Sequence, residues 1–447
     1  MILGKTKNSN ICRVILIAAF LWLSPGGLSA LDLELGEALQ MALKSNAVYL
    51  SALQDRLKAE GEIVEARAGA LPSLTLDGRY NRNFELQEIV FEGQRVKIGT
   101  KNNYSISLNL DQTLWGGGRV FNAWKIANLY SKYTAEGVKI ARQRVIYESY
   151  RAFFSAILAR DNVNVASDAV IQAEENFEVV NNMYLQGLVS EYDKLRAEVE
   201  LANLIPQLTK AENDAQIALS NLRYYIGYEG LDEINPKFEF NLDDTVATPD
   251  LDKSIETAFA QRPDYVGQDY LIKAYQKAIG VSRSGRMPSL YFSSALEWAA
   301  NVDKSFPSER DWYRTWSASV NLSFPIFDGL KTSGSVKKSK ADYMKSRLAK
   351  SQMEDAIRIE VEEAISSVEE SKKRLASGMK TIAMAEEGLR VANLRFKNGV
   401  GTQLEILSAQ AALTQAKTNY ILAIYDYQIS LAKYDKAIGA DRPGKKE

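Results

Sequence analysis

Apolar and polar residues alternate in four segments of the chain, and polar positions in these segments are mainly Ser, Asn, Asp and Thr. The apolar rows are Leu74, Leu76, Tyr80 and Phe84; Ile106, Leu108 and Leu110; Leu290, Phe292, Leu296 and Trp298; and Trp316, Ala318, Val320, Leu322 and Phe324. A period of two is typical of strands that have one apolar and one polar face. The pattern therefore predicts four amphipathic strands.

Two later segments carry apolar residues at alternating spacings of four and three, which is a heptad seam. The first row is Ser190, Lys194, Ala197, Leu201, Leu204, Leu208, Ala211, Ala215, Ala218, Leu222 and Tyr225. The second row is Thr402, Ile406, Ala409, Leu413, Ala416, Tyr420, Ala423, Tyr427, Ser430, Tyr434 and Ala437. We interpret the aromatic residues of the second row as core residues. Pro206 interrupts the first helix and is expected to kink it.

The helical segments come in two lengths. The predicted helices are 32–69 (with Asp32 as N-cap), 119–186 and 191–226, then 251–285, 330–398 and 403–438. A helix of about 68 residues spans about 100 Å, whereas one of about 36 residues spans about 55 Å. We therefore expect each long helix to pack against two half-length helices stacked end to end. The joint between them would lie at mid-height, with the linker after it forming a belt.

The second half of the chain repeats the first. Gly187 in Gly-Leu-Val and Gly399 in Gly-Val-Gly are 212 positions apart, as are Trp115 and Phe327. Such self-similarity predicts a duplicated unit. We divide the chain into a first repeat (31–227), a linker (228–250), a second repeat (251–440) and a tail (441–447).

The first thirty residues have the layout of a secretory signal peptide. Lys5, Lys7 and Arg13 precede an apolar run at 14–23, and small residues lead to a cleavage point near Ala30. That run is too short to remain as a membrane span, and no later stretch approaches twenty apolar residues. The single cysteine, Cys12, lies within this segment, so the exported chain would have no disulfide.

Composition excludes several function classes. The chain has 55 Lys and Arg against 56 Asp and Glu, so no basic excess favours nucleic acid binding. It has no histidine, which makes a zinc or copper site improbable and removes the commonest catalytic base. No glycine-rich phosphate loop follows a buried strand. We predict no cofactor, no metal and no enzymatic activity.

Four strands cannot close a barrel, and open sheet edges do not occur in lipid. Three chains would supply about twelve strands, an even number that is compatible with a closed bacterial barrel. A soluble, half-buried sheet would show the same alternation. The export signal and the aromatic residues near strand ends favour the membrane barrel.

The ordered set of motifs resembles the TolC family of outer-membrane efflux and secretion channels. The motifs are Leu-Pro-Ser-Leu at 71–74, Pro-Ile-Phe-Asp-Gly at 325–329 and the two glycine turns. The resemblance implies a mixed α+β membrane protein. Its long coiled-coil helices would form a periplasmic α-barrel, and four strands per chain would contribute to a trimeric transmembrane β-barrel. Such a homotrimer in outer-membrane lipid conducts passively. In a tripartite efflux pump or type I secretion system it receives substrate from an inner-membrane transporter through a periplasmic adaptor.

The two glycine turns are the predicted tips of the helical part. Ser190 and Thr402 fit capping boxes as helix caps, with Asp193 and Glu405 at the third position, and the second box fits better because glutamate is usual there. The resemblance implies that Asp193 and Glu405 also line a cation-attracting gate at the narrowest point of a trimer. Capping and lumen lining are compatible roles.

Two positions near the second tip depart from the family pattern. Ser408 stands where a second acid is often found, and Gly401 stands where an arginine can tie the tip shut. These differences predict a less charged and less firmly latched gate.

We assign the tip turns and the docking of the adaptor to Gly187, Leu188, Gly399 and Val400. The main alternative is a secreted or periplasmic coiled-coil scaffold without a channel. A periplasmic adaptor is disfavoured by the duplication.

Overall fold

The computed structural model describes residues 31–91, 93–230, 233–240 and 247–440. The predicted signal peptide, the tail at 441–447 and two parts of the linker, 231–232 and 241–246, lie outside the described residues. The helices are α1 Leu35–Ser45, α2 Ala47–Ala68, α3 Arg119–Leu185, α4 Glu191–Ile226, α5 Leu251–Gln261, α6 Pro263–Arg283, α7 Lys331–Lys397 and α8 Gln403–Ile438. The strands are β1 Leu31–Leu33, β2 Ser73–Arg82, β3 Gln87–Phe91, β4 Gln94–Ile98, β5 Asn102–Gly116, β6 Ile234–Pro236, β7 Ser289–Val302 and β8 Tyr313–Ser323.

The four predicted strands form one antiparallel sheet in the order β2-β5-β7-β8. Its register keeps the two faces separate: Leu108 lies opposite Leu76 and Leu296, whereas Ser107 lies opposite Asp77 and Glu297. The predicted apolar and polar rows are thus confirmed as two faces of one sheet. β2 and β8 are its outer strands.

One β-bulge changes the direction of a side chain at the end of β5. The register shifts between Thr113 and Trp115, so Trp115 lies opposite Leu290 on the apolar face. If Leu114 were paired as in a regular strand, Trp115 would continue the polar row of Asn109 and Asp111. A bulge adds one residue to one strand of a pair and so re-aims the residues that follow it.

The helices form a single layer beyond the sheet. α3 and α7 have 67 residues each. α3 packs against α2 and α6 in the half nearer the sheet, and against α4 and α8 in the other half. α7 packs against α6 and α8. The long helices therefore lie beside stacked pairs, α2 with α4 and α6 with α8, as the helix lengths predicted.

Hydrogen bonds identify the two joints between the stacked helices. The Ser45 hydroxyl donates to the carbonyl of Ile226 at 2.9 Å, where α4 ends. The Arg262 guanidinium donates to the carbonyl of Ala437 at 3.0 Å, where α8 ends. Gln143, near the middle of α3, donates to the carbonyl of Gly439 at 2.8 Å. The joints therefore lie at mid-height.

Both upper half-length helices differ from the prediction, because each is broken into two. Asp32 is not a helix cap: it lies in β1, which pairs in parallel with β6 of the linker. Asn46 is extended and caps α2 by accepting from the Val48 amide at 3.0 Å. Arg262 is extended because it precedes Pro263, and a residue before proline disfavours helical geometry. Pro206, in contrast, lies within a continuous α4.

Near the sheet's far end, the segment between β2 and β5 contains the β3–β4 hairpin. At mid-height, the largest aromatic cluster includes the fully buried Tyr150, Phe153 and Phe154 of α3. Phe238 of the linker packs edge-on against Phe154 with ring centroids 4.7 Å apart. The linker therefore contributes to the core at the level of the joints.

Across the described residues, none of the helices has both the length and the apolar character that crossing a bilayer requires.

Candidate functional site at the helical turns

The first turn, between α3 and α4, is a Schellman motif. Gly187 has φ 75°, and its amide donates to the carbonyl of Tyr184 at 2.9 Å. The Leu188 amide donates to the carbonyl of Met183 at 2.9 Å. These bonds satisfy carbonyls at the end of α3, and the left-handed backbone favours glycine. Leu188 is 65% exposed at the end of the hairpin.

Ser190 and Asp193 complete a capping box at the start of α4. The Ser190 hydroxyl accepts from the Asp193 amide at 3.2 Å, and the Asp193 carboxylate accepts from the Ser190 amide at 3.3 Å. The same carboxylate accepts from the Ser190 hydroxyl at 2.6 Å. Two amides that have no partner inside the helix are therefore satisfied.

The second turn, between α7 and α8, repeats the backbone path of the first. Gly399 has φ 72°, and its amide donates to the carbonyl of Phe396 at 2.9 Å. The amides of Val400 and Gly401 both donate to the carbonyl of Arg395 at 3.0 Å. Val400 is 66% exposed, which places it at the same point of this hairpin as Leu188 in the first.

The prediction that the second capping box fits better is wrong. The Thr402 hydroxyl accepts from the Glu405 amide at 3.3 Å, but the Glu405 carboxylate does not return to the cap. It binds Arg395 instead, with 3.1 Å between Nε and Oε2. Arg395 also donates to the carbonyl of Val400 at 3.2 Å. Glutamate is longer than aspartate and can reach a partner across the turn.

Gly401 has no room for a side chain in this turn. An added Cβ would lie 2.8 Å from the Phe396 amide nitrogen and 2.9 Å from Cβ of Arg395. The arginine at this tip is therefore Arg395, at the end of α7, because position 401 cannot hold one. Ser408 is exposed on α8, one turn beyond Glu405.

An apolar cluster holds the two hairpins side by side. Its buried members come from all four helices that meet at the turns: Val180, Ala197, Ala392, Phe396 and Ile406. Val189, in the first turn itself, packs against this cluster. The two turns thus form one composite surface at the end of the helical layer.

Two residues of this surface were missed from the sequence. The pairing of Arg395 with Glu405 joins positions ten apart across a turn, a spacing that no helical or strand period marks. Gln403 is 2% exposed, and its side-chain nitrogen and oxygen have no hydrogen-bond partner within the described part of the chain. Its neighbours in the sequence give no sign of this burial. In the ranges that the structure describes, no group of three or more His, Cys, Asp or Glu side chains could hold a metal ion.

Comparison with known proteins gives the chain its family. The family model described as outer membrane efflux protein matches residues 38–228 and 254–440, which together make up most of the chain. The chain belongs to the outer membrane efflux protein family. The two matched segments leave out the N-terminal residues, most of the linker and the tail.

Individual relatives of the family match over nearly their whole length. Nodulation protein T of Rhizobium leguminosarum bv. trifolii is 23% identical over 98% of this chain and 90% of its own. Outer membrane efflux protein BepC of Brucella suis is 22% identical over 89% of this chain and 85% of its own. The structure of the Campylobacter jejuni CmeC outer membrane channel has a TM-score of 0.77 at 19% identity, covering 92% of this chain and 87% of that chain.

The family and the fold together establish what the molecule does. The chain is an outer-membrane channel for efflux or secretion, and it extends into the periplasm. This places the sheet in the outer membrane and the helical layer on the periplasmic side. The turns at Gly187 and Gly399 lie at the end of the helical layer that is farther from the sheet.

Proposed function

We propose that three copies of the chain assemble into the exit duct of a tripartite efflux pump or type I secretion system. The observation that carries this proposal is the four-stranded sheet, which has one apolar face and two outer strands, β2 and β8, whose outer edges are unpaired in the described part of the protomer. In lipid these edges need partners. Pairing β8 of one copy with β2 of the next closes a barrel of about twelve strands after three copies.

The edges of the helical layer support the same arrangement. α2 and α4 form one edge, and α7 forms the other. Large apolar side chains are exposed on both, including Leu57 and Val64 on α2 and Leu348 and Ile359 on α7. Contiguous exposed apolar surface on a protein marks an interaction site. A ring of three copies would bury the first edge against the second.

At the periplasmic end, the composite tip surface is the proposed docking site for the periplasmic adaptor. Leu188 and Val400 project from it, and Leu185 is 74% exposed beside them. Gly187 and Gly399 set the backbone of the two turns. The inner-membrane transporter would deliver substrate through the adaptor, and the channel itself would perform no chemistry.

The same tips would form the gate. Around a threefold axis, Asp193 and Glu405 each occur three times, and carboxylate rings attract cations. Asp193 is held by its capping box and Glu405 by Arg395, so both carboxylates have fixed positions. Ser408 contributes a neutral position to the ring.

A charge at one edge of the helical layer tests the assembly. Leu348 is 62% exposed on α7, so Leu348→Asp is tolerated by a monomer but opposes burial between protomers. Ala349→Asp places the same charge on the next residue, which is also exposed. We expect Ala349→Asp to yield heat-modifiable trimers in the outer-membrane fraction that conduct in planar bilayers, and Leu348→Asp to yield none. A soluble, monomeric wild-type protein would overturn the channel and favour a periplasmic scaffold.

A further inference from the structure

A groove of about 350 Å³ lies where the sheet meets the helical layer in the first repeat. The end of α2, the end of β5 and the start of α3 enclose it. Three aromatic side chains line it, Trp115, Phe121 and Trp124, together with the aliphatic part of Arg67 and the small residues around Gly69. The tip surface and the gate, at the opposite end of α3, do not involve this groove.

The bulge in β5 creates the aromatic wall. By placing Trp115 opposite Leu290, it puts an indole on the apolar face of the sheet, one residue before β5 ends. Phe121 and Trp124 follow within the first two turns of α3, with ring centroids 6.2 Å apart. Trp115 and Phe121 are each 56% exposed. Trp side chains at the edge of a membrane-spanning sheet lie at headgroup level, where one part of the ring is apolar and the other is wet.

Two cations accompany these rings. Lys125 Nζ lies 4.1 Å from the centroid of the ring of Phe121, a residue that lines the groove. Arg67 is exposed on the facing wall and makes no salt bridge with any described residue. The groove thus combines an apolar floor with two positive charges that have no anionic partner in the described protomer.

The groove lies within a wider basic band. In α3 the first acidic residue is Glu136, and α6 has none after Asp269. α7 begins with a basic segment in which Asp342 is the single acid before Glu354. The basic residues at the helix ends beside the sheet are Arg67, Arg119, Lys125, Arg283, Arg286 and Lys331, whereas α2 carries Glu60, Glu62 and Glu65 before Arg67. The whole chain has 55 basic and 56 acidic residues, so this excess is local.

The depth of the band follows from the strands. β8 has 11 residues, which is about 36 Å of strand and about 28 Å of depth at a tilt of about 40°. That is close to the thickness of a hydrocarbon core. The helix ends at the sheet, and with them the groove and the basic residues around it, therefore coincide with the headgroups of the periplasmic leaflet. Basic residues at this level attract anionic headgroups.

We propose that this groove binds an anionic phospholipid of the periplasmic leaflet, one per protomer, with the phosphate between Arg67 and Lys125 and the upper acyl chain against Trp115 and Phe121. The proposal rests on the outer-membrane trimer described above. Charge complementarity favours an anionic lipid. A zwitterionic headgroup would bring its own positive charge to a site that already has two positive charges.

The test is lipid retention by purified trimers. Trimers are reconstituted in nanodiscs with equal amounts of phosphatidylglycerol and phosphatidylcholine, and native mass spectrometry counts the lipids that remain bound. We expect three phosphatidylglycerol molecules per wild-type trimer. Each basic residue at a membrane surface contributes about fivefold to the preference. Arg67→Gln/Lys125→Gln should therefore lose most of it, and added salt should weaken it in the wild type.

A matched variant separates the site from overall charge. Lys380→Gln/Lys397→Gln removes the same charge from exposed positions in the tip-side half of α7, and it should retain the preference unchanged. Equal retention of the two lipids by wild-type trimers overturns the proposal, as does an equal loss in both double variants. If the wild type forms no trimer at all, the proposed function fails and this site fails with it. Conducting trimers that retain both lipids equally overturn the lipid site alone.

Discussion

Arg395 and Glu405 face each other across the second turn, with 3.1 Å between Nε and Oε2. The first turn has no such pair, because the residue equivalent to Arg395 in the first repeat is Met183. Asp193 instead bonds to its own cap residue, Ser190. The two acids that the duplication placed at the tip therefore differ: one is held by neutral groups, and the other has a positive partner.

Removing that partner should change ion selectivity. In Arg395→Gln the three Glu405 carboxylates of a trimer lose their counter-charges, so the ratio of cation to anion permeability should rise. The change should be about two- to fivefold, the range set by an exposed pair worth up to about 1 kcal/mol. Reversal potentials across planar bilayers at low salt measure this ratio.

Arg390→Gln is the control for this change. Arg390 pairs with Glu387 on the same helix, and both side chains are more than half exposed. This variant should have wild-type selectivity. An unchanged ratio in Arg395→Gln would show that Glu405 does not line the conducting path.

Ser190→Ala should loosen the start of α4. The hydroxyl accepts from the Asp193 amide, and loss of a serine cap costs about 1 kcal/mol. Hydrogen exchange of the amides at 191–193, followed by mass spectrometry, should therefore become about fivefold faster. Ser408→Ala, on the exposed side of α8, should leave exchange in both turns unchanged. Equal exchange rates in Ser190→Ala and wild type would mean that the cap contributes nothing.

Asp264 should stabilise the joint in a pH-dependent manner. Burial alone would raise the pKa of Asp264, but hydrogen bonds and charge attraction from Arg262 outweigh it and lower the pKa below 3.8. A lowered pKa stabilises the fold above the unfolded-state value of about 3.8, and this contribution is lost as pH falls through the folded-state value. Asp264→Asn should cost about 1–2 kcal/mol at pH 7.

Trimer dissociation temperatures at pH 7 and pH 3 measure this effect. The difference between wild type and Asp264→Asn should be large at pH 7 and smaller at pH 3. Asp355→Asn, an exposed position on α7, should show little difference at either pH. A difference that stays constant with pH would count against the ion pair as its cause.

Two glycine substitutions should have opposite effects. Gly439 has φ 81°, and an added Cβ would lie 2.8 Å from the Arg262 amide nitrogen, so Gly439→Ala should destabilise the fold by more than about 2 kcal/mol. Gly137 lies inside α3 with no atom within 4 Å of an added Cβ. Gly137→Ala should stabilise by up to about 1 kcal/mol. The dissociation temperature should fall in the first variant and rise in the second.

The lower helices could be predicted from the sequence to the residue. α4 and α8 begin after Ser190 and Thr402 and end before Gly227 and Gly439. Caps of these types are local signals that act on the backbone beside them. The four strands could be predicted for a similar reason, because a sheet with one apolar face fixes the period of the side chains.

The breaks in the upper helices were not predicted, although Pro263 gave a signal for the break at Arg262. The break at Asn46 could not be distinguished from a polar helix position, because its bonds to α4 are formed between distant parts of the chain. β1 and β6 have three residues each and pair across about two hundred positions. Strands as short as these leave no periodic pattern in the sequence from which the pair could be predicted. The Arg395–Glu405 pair was missed because it depends on the shape of a turn.

The helix joints at mid-height have a mechanical consequence for the periplasmic end. α4 and α8 each have 36 residues and run from a joint to a turn, which makes each a rigid arm of about 54 Å. A tilt of about 5° at the joint would displace the far end by about 5 Å, close to one helical repeat. Adjusting a few side chains around Arg262 could thus open or narrow an aperture that none of them touches.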